Sequence, residues 1–264
     1  MANMKWKRFL MRTVGELASF LSTTNMPRHG YRILMYHAVG TPLVYDKDGI
    51  FSIKPWAFKE HMELLASYIE VMVLDLTNQV SRNDSSLKVS ITFDDGYKDN
   101  LYNAAPILLK YGMPFTVFIS PCFLKEPGHV YMTPSELREL ASMPNVTIGS
   151  HGMNHSSLTE CDNSTLKEEL SSSKKYLEDC LGKEVKAIAY PYGEVNRRVR
   201  ASAEEAGYTI GVCSRFGIND NLRDPLLLCR TEIAGPDSGR VFLQKLCGNW
   251  DWYSWRRKDP ALIY

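Results

Sequence analysis

An alternation constrains this chain more than any other feature. Seven short runs rich in β-branched and other apolar residues recur along it: 31–37 (YRILMYH), 88–93 (KVSITF), 114–120 (PFTVFIS), 145–150 (NVTIGS), 185–190 (VKAIAY), 208–214 (YTIGVCS) and 226–233 (LLLCRTEI). Most are nearly continuous in apolar side chains, the pattern of strands covered on both faces in a parallel sheet. The segments between them carry helix signals. Pro55 stands at a first-turn position of a pattern running to Ile69, and Leu101, Ala104, Ala105 and Leu108 keep helical spacing within 100–110. Thr133, Pro134 and Glu136 form a capping box with proline at the first helical position. Segments 164–181 and 194–206 run into Gly182 and Gly207, the usual C-terminal stop. Strands alternating with helices make successive βα units. The expected fold is α/β, a distorted or incomplete (β/α) barrel of about seven parallel strands, with a doubly wound open sheet as the alternative. No G-x-G-x-x-G follows the first strand, so nothing favours a dinucleotide site.

The 264 residues fit one barrel, and no repeat, low-complexity tract or Pro/Gly-rich linker divides them. Residues 30–247 are read as the barrel, 1–29 as an N-terminal helical extension and 248–264 as an aromatic and basic tail. With 31 Lys+Arg against 30 Asp+Glu and 44% hydrophobic residues, the chain has neither the basic excess of a phosphate-neutralising nucleic-acid binder nor the composition of a disordered segment. Six scattered cysteines without a C-x-x-C pair exclude a zinc ribbon or disulfide framework. Lys5, Lys7 and Arg8 look like the start of a signal peptide, but Arg12 and Glu16 interrupt the apolar segment that follows. The expectation is therefore a cytoplasmic protein. Leu10, Val14, Leu17 and Leu21 share one helical face beside Lys7, Arg8 and Arg12, which suits either core packing or an anionic membrane surface. The tail offers the same choice, a packed segment or a peripheral contact with the inner face of the membrane, because Trp250, Trp252 and Trp255 adjoin Arg256, Arg257 and Lys258.

Several strands finish in polar clusters: Tyr36-His37, Asp94-Asp95-Gly96, Ser150-His151 and Tyr190-Pro191-Tyr192-Gly193. In a parallel barrel those ends share one face, where active sites of such folds are built. Asp94-Asp95-Gly96 alone reads as turn chemistry as readily as a site. Two adjacent carboxylates at the end of an apolar strand nevertheless call for a cation or a proton between them. His151 and His155 stand four residues apart, a spacing that lets both imidazoles face one centre. An aspartate with two histidines leaves coordination positions open for water and substrate. One carboxylate of the pair then binds a metal, and its neighbour serves as general base for hydrolysis of an amide or ester.

At these residues the chain resembles the polysaccharide deacetylases, the NodB-homology or family four carbohydrate esterases. TFDDGY (92–97) is similar to that family's first motif, SHGMNH (150–155) to its H-[ST]-x-x-H motif with glycine in the Ser/Thr place, and YPYG (190–193) to the core of its third. The resemblance spans about Tyr31 to Ile233. It implies that Asp94 is the general base, that Asp95, His151 and His155 bind one divalent metal, and that the backbone N–H of Tyr192 helps hold the oxyanion. YRILMYHAVG further resembles the branch that includes poly-N-acetylglucosamine deacetylases, which places His37 in the site.

Two departures stand out. The family's third motif commonly begins with an arginine that steadies the base, and here that position is Ala189; the late Leu-x-His motif that supplies a general acid is absent from LLLCRTEI. His37 or a water on the metal is then expected to protonate the leaving amine, with Tyr190, Pro191 and Arg230 assigned to substrate binding. The expected activity is metal-dependent removal of N-acetyl, or N-formyl, from an amino sugar in a polysaccharide, oligosaccharide or lipid-linked intermediate. Zinc is the expected ion, with cobalt and nickel equally compatible with the ligand types. The alternative is a carbohydrate-binding pseudoenzyme of the same fold, prompted by the missing arginine and histidine. A phosphoester hydrolase would want a second metal set or a basic clamp, and the sequence shows only one metal set. The oligomeric state is not readable.

Overall fold

The computed structural model describes residues 30–74, 87–125, 130–256 and 258–260, so the expected N-terminal extension lies outside the described residues. The elements in chain order are β1 (Gly30–Tyr36), β2 (Ala38–Val39), β3 (Ser52–Ile53), α1 (Pro55–Tyr68), β4 (Glu70–Val71), β5 (Leu87–Phe93), α2 (Ala105–Lys110), β6 (Phe115–Ile119), α3 (Pro134–Ser142) and β7 (Val146–Ser150). They continue with α4 (Asn163–Leu181), β8 (Ala187–Ala189), α5 (Arg197–Glu205), β9 (Ile210–Val212), β10 (Thr231–Glu232) and α6 (Gly239–Leu246). Seven strands form a curled parallel sheet in the order β10-β1-β5-β6-β7-β8-β9, with β4 added alongside β5. This is the distorted barrel that the alternation predicts.

The strands are covered on both faces, as their apolar runs require. Leu34 and Tyr36 of β1 and Val89, Ile91 and Phe93 of β5 pack outward with Met62, Leu65, Leu101 and Leu108 of the helical layer. The intervening residues Tyr31 and Ile33 turn inward and meet Phe118, Ala187, Ile210 and Val212 across the barrel. Truncating one of the buried rings such as Phe93 to alanine costs about 3–5 kcal/mol by the usual transfer and cavity terms.

The barrel closes weakly. Segment 226–233, expected to be one long strand, pairs as a strand only at Thr231–Glu232, because it changes neighbours on the way. Leu228 pairs with Val212 of β9, and Thr231 with Leu34 of β1. Asn219 spans the junction: its Oδ1 accepts the Cys229 N–H at 2.8 Å, and its Nδ2 donates to the carbonyls of Cys229 and Tyr31 at 2.9 and 3.2 Å.

The helices start and stop for the reasons their sequences carry. Thr133 and Glu136 make the reciprocal capping box, and α4 runs from an Asp162 cap to Gly182 at φ 64°. The segment 100–110 is less regular than its spacing predicts. Asn100–Ala104 winds as a π turn and becomes α-helical only at Ala105, next to Pro106, which has no N–H to donate back to the preceding turn. That turn has a use, since Asn100 and Asn103 donate from Nδ2 to the carbonyls of His37 and Val39 at 2.8 and 2.7 Å and so fix the chain beyond β1. In the tail, Trp250 is buried with Phe216 and Val241, Asp251 pairs with Arg32 at 2.9 Å, and Trp255 is 74% exposed. None of the six cysteines forms a disulfide. Among the described residues no helix is long and apolar enough to cross a membrane.

Candidate active site

The inward face of β5 leads directly to the site. Ser90 and Thr92 alternate with the outward Val89, Ile91 and Phe93, and their hydroxyls are satisfied locally, Ser90 donating to Met72 O at 2.6 Å and Thr92 to Leu34 O at 2.7 Å. Asp94 continues that face by period two. It is 3% exposed, its N–H donates to Tyr36 O at 3.0 Å, and its carboxylate receives a fork from Arg230, Nη1 to Oδ1 at 2.6 Å and Nη2 to Oδ2 at 2.7 Å. Burial alone would raise the Asp94 pKa. The Arg230 guanidinium outweighs it, with His151 and His37 adding to the effect, and holds the carboxyl below the usual range.

Asp95 follows with φ 72°, a left-handed turn that sends its side chain away from that of Asp94. There it meets the two histidines. His151 Nε2 lies 3.5 Å and His155 Nε2 3.3 Å from Asp95 Oδ1, and the three potential ligand atoms lie within 4.8 Å of one another. His151 leaves the end of β7, and its Nδ1 stands 2.7 Å from the carbonyl of Ala189. That nitrogen therefore carries the hydrogen, and the Nε2 lone pair is free to face the cluster.

The donor set fits a divalent ion. Asp95 Oδ1 is buried and accepts no hydrogen bond, an expensive arrangement without a cation. Ligand atoms about 2.0–2.2 Å from a shared ion stand about 3–3.5 Å apart, as Asp95 Oδ1 does from each histidine nitrogen. Burial opposes ionisation of Asp95, but His155, His37 and His151 around it keep the carboxyl well below its ordinary value. Burial likewise lowers the His151 pKa and favours the neutral, ligating imidazole.

These groups open into a cleft of about 840 Å³ that is lined also by His37, Tyr192 and Arg230. His37 stacks edge-on against Phe51 at 4.8 Å. Tyr192 sits in the turn Pro191–Gly193 with φ 59°, its ring 4.8 Å from that of His155. Gly193 is obligatory there: φ is 67°, and an added Cβ would fall 1.9 Å from Ser214 Oγ.

A family model described as polysaccharide deacetylase matches residues 81–211. YxkH of Bacillus subtilis, named for the same family, is 30% identical over 213 residues, which cover 80% of this chain and 74% of that one. The chain belongs to the polysaccharide deacetylase family. The poly-β-1,6-N-acetyl-D-glucosamine N-deacetylase of Staphylococcus aureus is 32% identical over 134 residues, covering 47% of this chain and 46% of that enzyme. Solved structures share the fold. The Streptococcus pyogenes deacetylase PplD, in complex with acetate, aligns with a TM-score of 0.72 at 24% identity over 83% of this chain and 99% of that one. IcaB from Ammonifex degensii aligns with a TM-score of 0.67 at 18% identity over 82% and 97%.

Within this polysaccharide deacetylase the structure brings together Asp94, Asp95, His151, His155, His37 and Tyr192. Three assignments need correction. Tyr190 does not reach the cleft: it is fully buried with its hydroxyl donating to Leu226 O at 2.9 Å, and Pro191 is buried beside it. Arg230 borders the cleft, but its donors are committed inside the protein, to Asp94, to Thr92 Oγ1 at 3.3 Å and to Cys213 O at 3.0 Å. Its fork to Asp94 is a carboxylate contact that Ala189 has no polar side chain to make. Beyond the residues that the motifs mark, the cleft has an aromatic wall of Tyr45, Phe123 and Tyr131 and the carboxylates of Glu194 and Glu232. Tyr45 lies in a loop and Phe123 in a single 3-10 turn, and neither is long enough for periodicity to mark a residue as part of a site.

Proposed function

We propose that this polysaccharide deacetylase removes N-acetyl, or N-formyl, groups from amino-sugar glycans with the help of one divalent ion held by Asp95, His151 and His155. One observation carries the reading: Asp94 lies beside that donor set, buried and paired with Arg230. A ligand-binding protein has no use for such a carboxylate; a hydrolase needs it as its base. Zinc suits the ligands and, when bound, lowers the pKa of a water and polarises the acyl carbonyl.

The remaining work falls to side chains and backbone of this chain. Asp94 takes the proton of the attacking water, and Arg230 keeps it ionised and oriented until it does. The Tyr192 N–H donates to the carbonyl oxygen as the carbon becomes tetrahedral. His37, on the opposite side of the cluster from the Tyr192 turn along the sheet order, gives a proton to the nitrogen that leaves. The products are a free amine on the sugar and acetate.

The pseudoenzyme alternative rested on the missing arginine and the missing late histidine. Arg230 supplies the first and His37 stands in for the second, which favours the enzyme. The test is mass spectrometry of oligomers of β-1,6-N-acetylglucosamine and of lipid-linked amino sugars after incubation with zinc-loaded protein. Free-amine products that vanish with Asp94→Asn are expected. A zinc-loaded wild type that binds these glycans and deacetylates none of them would establish the binding protein instead.

A further inference from the structure

We infer that Glu169, on α4, is a positioning residue for the metal site, its carboxylate clamping the loop that carries His151 and His155. The inference rests on the metal reading of Asp95, His151 and His155 given above.

The loop needs an external hold. Between the two histidines the chain passes through Gly152 at φ 74° and reaches His155 at φ 54°, so no run of helical hydrogen bonds stiffens it. A histidine in the left-handed region is disfavoured unless its surroundings impose it. Glu169 supplies the imposition. Its Oε2 accepts the backbone N–H groups of Met153 and Asn154 at 2.9 and 3.0 Å. Its Oε1 accepts Asn154 Nδ2 at 2.7 Å and, at 3.5 Å, the Ser156 hydroxyl. All four donors belong to the segment between or next to the two imidazoles.

Glu169 is out of place by pattern, which strengthens its assignment. It is 2% exposed and falls on the buried face of α4 with Leu166, Leu170, Ser173 and Leu177, where helical spacing calls for an apolar side chain. A buried carboxylate costs free energy unless donors surround it, and here the loop provides them. One turn along, Ser173 bonds Ser150 Oγ at 2.8 Å, and Ser150 Oγ accepts the Gly152 N–H at 3.3 Å. The same helical face thus registers both the end of β7 and the loop beyond it. Gly152 completes the fit, because a Cβ there would stand 3.2 Å from Glu169 Oε2 and 3.4 Å from Pro191. A carboxylate is required rather than an amide, since an ionised carboxylate only accepts and every neighbour in the loop donates.

Glu169→Leu, Glu169→Gln and Asn154→Ala test the assignment through three readouts: amide hydrogen exchange at residues 153 and 154 in the metal-free protein, zinc affinity by chelator competition, and the visible spectrum of the cobalt-loaded protein. Glu169→Leu should speed exchange at those amides at least tenfold, weaken zinc binding about 10–100-fold and alter the cobalt spectrum while the far-ultraviolet signal is kept. Glu169→Gln, which retains one acceptor, should move each readout less and in the same direction. If Glu169→Leu does not fold, Glu169→Gln and Asn154→Ala decide by the same measurements. Unchanged exchange with zinc affinity within twofold of wild type overturns the clamp. A wild type that takes up no zinc overturns the role as well, and protected amides at 153 and 154 in that protein would locate the failure in the metal reading rather than in the clamp.

Discussion

Arg230 reaches Asp94 from 136 residues further along the chain and binds both of its carboxylate oxygens, in a pocket where the two side chains are 1% and 4% exposed. The pair is fully desolvated, so its geometry matters more than its charge. Arg230→Lys keeps the charge and loses the fork. We expect kcat to fall at least tenfold, toward the about 10²–10⁴-fold loss that removal of a general base brings. Arg230→Ala should in addition destabilise the fold by about 3–5 kcal/mol, because Asp94 is left buried without its counter-charge. Steady-state kinetics and urea unfolding check both; a wild-type kcat in Arg230→Lys contradicts the role.

His37 faces the cluster from the end of β1, held there by the bond from Asn100 to its carbonyl. As the proton donor to the leaving amine it should contribute about 10²–10⁴-fold to kcat. His37→Ala should lose that factor while zinc affinity measured by chelator competition stays within a few-fold of wild type. Near-normal turnover would remove His37 from the reaction.

Tyr192 is expected to act through its backbone. Its ring is 55% exposed, and only its N–H is asked to meet the developing oxyanion. Tyr192→Gly keeps the amide and suits φ 59°, so kcat should change less than about tenfold, with any larger effect in KM. Gly193→Ala forces its new Cβ against Ser214 and displaces the same turn, so kcat should fall with it. The reverse order of effects would assign the function to the phenol ring.

His61 gives the fold a dependence on pH that is separate from the site. The ring is fully buried on α1, stacked on Phe242 at 4.2 Å, with the Tyr36 hydroxyl 3.3 Å from Nδ1 and with Asp237 and Lys245 as the charges nearby. Burial lowers its pKa from 6.5 to about 4, and Lys245 adds to that against the opposing pull of Asp237. The unfolded chain therefore binds a proton that the native ring refuses between those values. Stability is complete above pH 6.5 and declines as pH falls toward 4, by about 2–3 kcal/mol at pH 4.5. Urea unfolding of metal-free wild type and His61→Gln at pH 7.5 and 4.5 tests this. The variant should lose about that much of the pH dependence, and an identical pH dependence in both proteins would contradict it.

The long apolar strands were legible because both of their faces are buried, so 88–93 could be read as β5 without knowing its neighbours. The two-residue strands β2, β3 and β4 were not, since two residues show no period. Segment 226–233 reads as an ordinary strand because it opens on the apolar run Leu226–Cys229 and ends on Ile233; that it leaves β9 for β1 midway depends on Asn219 from a separate loop. The candidate ligands His151 and His155 are legible from their spacing along the chain, whereas the choice of Asp95 over Asp94 comes from the resemblance to the deacetylase motif. The contacts of Arg230 and Glu169 are not legible in the sequence, although each carries a signal of the same kind, a charged residue inside an apolar pattern. What each charge pairs with is settled by packing between elements, Arg230 with β5 and Glu169 with the loop after β7.

As the proposed base, Asp94 should activate water without holding the metal. This is tested most directly by acetate release from an N-acetylglucosamine oligomer, measured for wild type and Asp94→Asn at equal zinc occupancy. Both proteins should bind one equivalent of zinc, and the variant should release acetate at least about 10²-fold more slowly. Acetate release by Asp94→Asn at the wild-type rate, or loss of zinc from that variant, would contradict it.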